Sequence, residues 1–297
     1  MRILLTGADG QLGLALQASC PKDVKLTACS RSHLDITDAA ACDQIIGALQ
    51  PAWVINAAAY TAVDRAEHDS QRAYAVNALA PAHLVAALAR YPGRLLQIST
   101  DFVFSGLQGI PYATDQPTDP ISVYGSSKAA GEQVTLAYEG GYVLRTSWLH
   151  GPVGRNFPLT MLRLHRERSA MKQPLTVVTD QVATPTSTRS LAEACWRLVR
   201  LNDAETSFKR ILHWSDAGVA SWYDVAVAVG ELAVEAGLLS QSAAVLPIRS
   251  CDYPAAAARP AFSVLDCHST REALDLSPLH WRESLRISLE ELRCGQP

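Results

Sequence analysis

The sequence predicts an α/β protein built on a doubly wound parallel sheet, followed by a smaller C-terminal domain. Two observations carry the sheet. Buried-strand patterns alternate with helical ones without a break from the first residues to about residue 150, the rhythm of successive βα units. The first strand runs directly into Gly7-Ala8-Asp9-Gly10-Gln11-Leu12-Gly13 and then a helical pattern, so the chain passes from strand to glycine turn to helix. A third observation sets the second domain apart: after Gly151 the strict alternation stops. A chain of 297 residues has room for both parts and an ample core.

Residues 3–6 (Ile-Leu-Leu-Thr) read as a fully buried strand. The turn after it spaces Gly7, Gly10 and Gly13 as G-x-x-G-x-x-G. Glycines let a backbone approach a pyrophosphate, and the N-terminus of the helix that follows stabilises its charge. An ordinary tight turn is the alternative, but the position at the end of the first strand favours a dinucleotide. Residues 25–30 are the second strand, ending in Cys29-Ser30-Arg31. No carboxylate stands there, where an NAD site uses one to hold the ribose 2′-hydroxyl. Arg31 pairs with the 2′-phosphate of NADPH, or is a solvated surface arginine. NADPH is the expected cofactor, with NADH usable. Asp35, ahead of Ile36, faces an adenine or serves the start of a helix over residues 38–49.

Residues 51–56 lead through the third strand into Ala57-Ala58-Ala59-Tyr60. Such small residues let a flat cofactor lie against the backbone. Residues 63–67 read as a loop, and 71–90 as one long helix containing Asn77. Residues 95–99 form the fourth strand, which ends at Thr100-Asp101. Gly7, Ala57 and Thr100 therefore share the rim at the carboxyl ends of the strands, where open parallel sheets collect ligands. A loop rich in Gly, Pro and Asp covers residues 106–120, the helix of Tyr124 and Lys128 follows, and residues 142–145 are the next strand.

In the second half, residues 156–169 read as a helix whose Arg163, Arg166 and Arg168 make a solvated face. Residues 175–178 are a short strand, 180–186 a loop, 190–200 a helix and 211–214 one more strand. Helices follow near 221–236 and 281–293, with a linker-like segment at 254–260. The expected division is a dinucleotide-binding domain over residues 1–150, joined by part of 186–216, and a substrate domain mainly over 151–297.

Composition removes several functions. The formal net charge is −3, which offers nucleic acid no basic surface. No apolar stretch is long enough to span a membrane, and the run at Met1–Gly7 is too short for a signal peptide. The seven cysteines show no Cys-x-x-Cys and no Cys/His cluster. They read as reduced thiols in a cytoplasmic protein without a metal site.

The chemistry centres on Tyr124-Gly125-Ser126-Ser127-Lys128. Residues four apart on a helix share a face, one turn apart. An ammonium beside a phenol favours the phenolate, so Lys128 is expected to lower the Tyr124 pKa and make it a better acid. A hydroxyl at a strand end, Thr100, can hold a substrate oxygen for that acid. The set is a proton-transfer unit suited to reducing a ketone. Trp148, just past the strand that ends in Arg145-Thr146-Ser147, either shapes a substrate pocket or stands in the core.

Together, Gly7-x-x-Gly10-x-x-Gly13, Asn56-Ala57-Ala58-Ala59, Ser99-Thr100-Asp101 and Tyr124-x-x-x-Lys128 resemble the extended short-chain dehydrogenase/reductases. Within that group the chain is similar to the dTDP-4-dehydrorhamnose reductase family. This narrower resemblance spans nearly the whole chain in motif order: Asp64 to Glu67 after the alanines, Phe102 to Phe104, Val123, Trp148, Asn156-Phe157, Met161 to Arg163, Asp180-Gln181 and Pro185-Thr186. It implies a Rossmann sheet with a C-terminal substrate-binding domain. The implied reaction is NAD(P)H-dependent reduction of the C4 ketone of dTDP-4-dehydro-β-L-rhamnose, in the supply of cell-surface polysaccharide. By resemblance, Gly10, Gln11 and Leu12 meet the cofactor pyrophosphate, Asp35 and Ile36 the adenine, and Ala57, Ala58 and Ala59 the ribose and beyond. Thr100, Tyr124 and Lys128 match the catalytic hydroxyl, acid and lysine, and Lys128 also holds the nicotinamide ribose. Asp101 and Trp148 match sugar-nucleotide contacts. Some relatives bridge a dimer through Mg²⁺ held by a carboxylate on the first helix. Here that helix reads Leu14-Ala15-Leu16-Gln17, so a monomer or a homodimer without a metal is expected.

Two rivals remain at this stage. A nucleotide-sugar dehydratase of the same fold carries an Asp-Glu pair after its threonine, whereas Phe102 follows Asp101 here; an epimerase stays open. A non-catalytic NADP-binding regulatory module has no need of the proton donor that Tyr124 supplies.

Overall fold

The computed structural model describes residues 1–201 and 209–294. Strand β1 (Arg2–Thr6) is buried from its second residue on and opens through the glycine turn into α1 (Gln11–Ala18). Next come β2 (Lys25–Cys29), α2 (Ala39–Leu49) and β3 (Trp53–Asn56). The segment read as a loop at 63–67 instead holds a helical turn, α3 (Val63–Ala66). Glu67 at its end accepts a hydrogen bond from the Val123 amide at 2.9 Å, a tie 56 residues long that no local pattern encodes.

The single helix expected over 71–90 is three pieces: α4 (Ser70–Tyr74), a π turn over Ala75–Leu79, and α5 (Ala80–Arg90). Asn77 explains the interruption. Its carboxamide accepts from Tyr60 N at 2.9 Å, and donates to Tyr60 O at 3.0 Å and to Ser127 Oγ at 2.9 Å. Such single π turns let a helix place one residue against a neighbour. The sheet continues with β4 (Arg94–Thr100), α6 (Val123–Ala137) and β5 (Gly141–Thr146).

Then follow β6 (Leu149–His150), α7 (Phe157–Ala170), β7 (Leu175–Val178), β8 (Val182–Ala183), β9 (Thr186–Ser187) and α8 (Thr188–Leu198). The expected loop at 180–186 thus contains two short strands, each paired with a distant segment: β8 with β11 (Ala220–Ser221) and β9 with β6. In chain order, β10 (Ile211–His213) precedes β11, then α9 (Trp222–Glu235), β12 (Val245–Ile248), α10 (His268–Leu274) and α11 (Trp281–Cys294).

The central sheet has the order β10-β5-β4-β3-β1-β2 and is parallel throughout. Alternate residues face opposite layers, as a pleated strand requires. Ile3, Leu5, Ile55 and Leu96 pack with α1 and α8, while Leu4, Val54 and Leu95 pack with α2 and α5. The strand order reverses between β1 and β3, which places their two turns side by side at the ligand-collecting rim. A hydrogen-bond ladder crosses this point: Thr6 donates to Asn56 at 2.6 Å, and Asn56 to Gln97 at 2.7 Å. Within the expected insertion at 186–216, residues 202–208 lie outside the described ones. A separate core holds α7, α9 and α11 around Met161, Val225, Val229 and Leu285. Among the described residues no helix is long and apolar enough to cross a membrane.

Candidate active site

Helix α6 starts where it does because Ser122 caps it, accepting from Gly125 N at 3.1 Å. This puts Tyr124 in the first turn and Lys128 one turn on, both buried. Thr100 ends β4 in an extended conformation and accepts from Phe102 N at 3.2 Å. Its own hydroxyl donates to Asp101 Oδ1 at 3.1 Å, and Ser263 donates to Asp101 Oδ2 at 2.5 Å. Ser263, Asp101 and Thr100 therefore form one buried chain, and Thr100 stands close enough to the Tyr124 phenol to act on its pKa.

Burial pushes the Tyr124 phenol up to about 12; the Asp101 charge adds to this and the Thr100 hydrogen bond opposes it. The expectation that Lys128 lowers this pKa is therefore corrected. The ammonium donates to Ile98 O at 2.6 Å, and desolvation outweighs any help it gives the phenolate. Tyr124 keeps its proton at neutral pH, the state a proton donor needs. Burial also brings Lys128 down to about 8, against the charge of Glu132. Asp101 is raised to about 7 by burial, opposed by the bonds from Ser263 and Thr100.

These residues lie in a cavity of about 850 Å³. Gly10, Gln11 and Leu12 also line it. Gly7 has φ +71°, and a Cβ there would stand 2.6 Å from Ala58 N; one on Gly13 would stand 2.2 Å from Gly7 O. No side chain caps α1, which leaves first-turn N–H groups for an anion. The glycine turn therefore fits a dinucleotide diphosphate. Gln11 offers backbone rather than side chain there: its carboxamide donates to Arg155 O at 3.2 Å and accepts from Asn156 at 2.7 Å.

A second cavity of about 410 Å³ shares Gly10, Ala57 and Ala59 with the first. It contains Gly7, Ala58, Arg31, Asp35 and Ile36 in its walls. Asp35 is not the cap of α2. That cap is Asp38, which accepts from Ala40 N and Ala41 N, while Asp35 accepts from Thr37 N at 3.0 Å and Thr37 Oγ1 at 2.6 Å. The Thr37 bonds hold its carboxyl below the usual range. Arg31 stands 3.7 Å from Asp35, with its side chain 70% exposed.

Trp148 lines the large cavity and also packs against the core around α7, α9 and α11, with φ +43°. Its ring stacks on Trp222 at 3.4 Å and 7°. Phe157 leans on the same indole, whose Nε1 donates to Gln181 Oε1 at 3.1 Å. Trp148, Phe157 and Trp222 thus give the cavity an aromatic wall.

The model of the RmlD substrate binding domain family matches residues 1–294. The chain belongs to this family. It is 40% identical to the dTDP-4-dehydrorhamnose reductase of Streptomyces griseus over 302 residues, covering 100% of this chain and 96% of that one. It is 37% identical to the spore coat polysaccharide biosynthesis protein SpsK of Bacillus subtilis, covering 98% and 97%. The dTDP-4-dehydrorhamnose reductase of Bacillus anthracis, solved in complex with NADP, superposes with a TM-score of 0.89 at 33% identity, covering 98% and 99%.

Several residues of this RmlD-family site escaped the sequence reading. Arg72 lines the smaller cavity, and Trp222 and Arg259 the larger. Nothing in their local sequence marks them. Glu132 did carry a signal, since it continues the i, i+4 row of Tyr124 and Lys128. It is buried, accepts from Ser99 Oγ at 2.5 Å, and pairs with Arg145 at 2.7 Å.

Proposed function

We propose that this chain reduces the C4 ketone of dTDP-4-dehydro-β-L-rhamnose to dTDP-L-rhamnose, with NADPH as the preferred cofactor and NADH usable. One observation carries the reading. Thr100, Tyr124 and Lys128 meet in a single cavity that residues of the glycine turn and an aromatic wall also line. The S. griseus and B. anthracis relatives, named as reductases of this sugar nucleotide, support the substrate.

When bound, NADPH supplies the hydride to the carbonyl carbon. Thr100 orients the carbonyl oxygen. Tyr124 gives that oxygen its proton as alkoxide character develops, and Lys128, one helical turn away, holds the nicotinamide ribose. General acid help of this kind contributes roughly 10²–10⁴-fold. Asp101 and Trp148 hold the sugar. Gly10, Gln11 and Leu12 hold the cofactor diphosphate, and Ile36 and Asp35 the adenine. Phe102 favours reduction over dehydration: its ring stands edge-on to Tyr124 at 5.8 Å, where a dehydratase needs a second carboxylate. We assign the cofactor to residues 1–150 with α8 and β10, the sugar nucleotide mainly to the rest, and the reaction to the cytoplasm.

The test is incubation with NADPH and the 4-keto sugar made from dTDP-glucose. NADPH consumption matched by dTDP-L-rhamnose is expected. Tyr124→Phe should lower kcat by roughly 10²–10⁴-fold while NADPH still binds. A C4 epimer as product, or near-normal kcat in the variant, overturns the assignment.

A further inference from the structure

The large cavity contains three cations with different commitments. Lys128 is buried and donates to Ile98 O. Arg155 is exposed beside the glycine turn, where its carbonyl accepts from Gln11. Arg259, from the segment that the sequence marks only as linker-like, reaches the cavity from the C-terminal half. Its guanidinium binds Asp64 through both terminal nitrogens, Nη1 to Oδ1 at 3.1 Å and Nη2 to Oδ2 at 2.6 Å, and Nη1 also donates to Ala257 O at 3.2 Å. Ala257 N donates to Asp64 as well, at 3.1 Å. A guanidinium has five N–H groups. These bonds use the fork at its end. Nε–H and the second Nη2–H, which form the side fork, have no partner among the described residues.

We propose that Arg259 binds the diphosphate of the nucleotide-sugar substrate through this side fork, while Asp64 holds the end fork. The inference rests on the nucleotide-sugar reading above. A planar fork of two parallel N–H groups matches a phosphate oxygen pair. The arginine is pre-organised: its side chain is 20% exposed, and its chain is fixed by Pro260, which packs so closely on Gly106 that a Cβ there would meet Pro260 Cα at 2.6 Å. Asp64 is held ionised by Arg259, and its carboxyl lies below the usual range. The pair therefore sets the position of the cation and moderates its charge. The same contact can be a staple that only ties α3 to the C-terminal segment. That alternative makes the opposite forecast for Asp64.

The experiment is titration of the full chain with dTDP, with thymidine and NADPH as controls. Arg259→Gln should weaken dTDP roughly ten- to a hundredfold and leave thymidine and NADPH as in wild type. Asp64→Asn keeps an acceptor for Ala257 N and removes a negative charge, so it should bind dTDP as tightly as wild type or more tightly. Unchanged dTDP affinity in Arg259→Gln overturns the proposal, as does parallel loss in both variants, the mark of a staple. Should Arg259→Gln fail to fold, weakened dTDP binding in Asp64→Asn alone overturns it. Wild type that binds NADPH but no dTDP refutes the nucleotide-sugar reading itself and the proposal with it.

Discussion

Asp101 carries a stability signature of its own. Its carboxyl moves from an ordinary 3.8 to about 7 on folding, so the fold binds that proton more tightly than the unfolded chain does. Its contribution is complete below about pH 4 and is lost as pH rises to 7, on the order of 4 kcal/mol in all. His150 and His213, depressed to about 4 and about 3 by burial, act in the opposite sense over a similar range. They are common to wild type and variant and cancel in the comparison. The melting temperature of Asp101→Asn, relative to wild type, should therefore rise between pH 5 and pH 8; parallel curves would count against a buried, titrating carboxyl. Arg31 gives a smaller effect. With 70% of its side chain in water, its pairing with a 2′-phosphate is screened and is worth less than about tenfold in kcat/KM for NADPH over NADH. Arg31→Ala should lower the NADPH value and leave the NADH value in place, with Arg72 across the same cavity sustaining a residual preference. Equal loss with both cofactors would mean that Arg31 serves the fold. Thr100, Tyr124 and Lys128 were legible because their chemistry and spacing are local. Arg72, Trp222 and Arg259 were not, because each is one ordinary residue carried to the cavity by a distant segment.

Helix α6 shows what spacing sets and what packing must supply. Tyr124, Lys128 and Glu132 recur every four residues, so one face carries acid, cation and anion in successive turns. The face closes down on small residues: a Cβ on Gly125 would meet Phe102 O at 2.2 Å, and one on Gly131 would meet Asn77 O at 2.0 Å. Glu132 then locks the helix to the sheet through Arg145 and Ser99. Both members of this ion pair are buried, so removing one leaves an uncompensated charge. Glu132→Gln should cost about 3–5 kcal/mol in denaturant melts. It should also lower the Lys128 pKa further, because Glu132 is the group that raises it, and shift the alkaline limb of kcat toward lower pH. A stability loss with an unmoved pH profile would make Glu132 purely structural. The strands of the sheet were readable as short apolar runs. The π turn at Asn77 and the helical turn at Val63–Ala66 were not, since contacts to Ser127 and Val123, 50 and 56 residues away, fasten them.

Across the whole molecule, segments after Gly151 contribute to the core under the sheet as well as to the core around α7, α9 and α11, and periodicity says nothing of how the two communicate. The structure offers a specific tie. Gln11, on the first turn of the cofactor helix, exchanges hydrogen bonds with Arg155 and Asn156. Asn156 caps α7 by accepting from Leu159 N at 2.9 Å, and Phe157, next in the chain, leans on the Trp222 ring beneath Trp148. A cofactor that orders the glycine turn therefore also orders the aromatic wall, and by linkage the sugar nucleotide returns the same free energy to the cofactor. One neutral hydrogen bond of this kind is worth about 1 kcal/mol, or roughly fivefold in affinity. Asn156→Ser separates the coupling from the helix start: serine caps nearly as well but is too short to reach Gln11. In wild type, dTDP should bind roughly fivefold more tightly with NADP⁺ present than without it. In Asn156→Ser that factor should fall toward one, while the melting temperature and the affinity for each ligand alone change little. If the factor persists in the variant, the two halves are coupled through the Arg259–Asp64 pair rather than through Gln11.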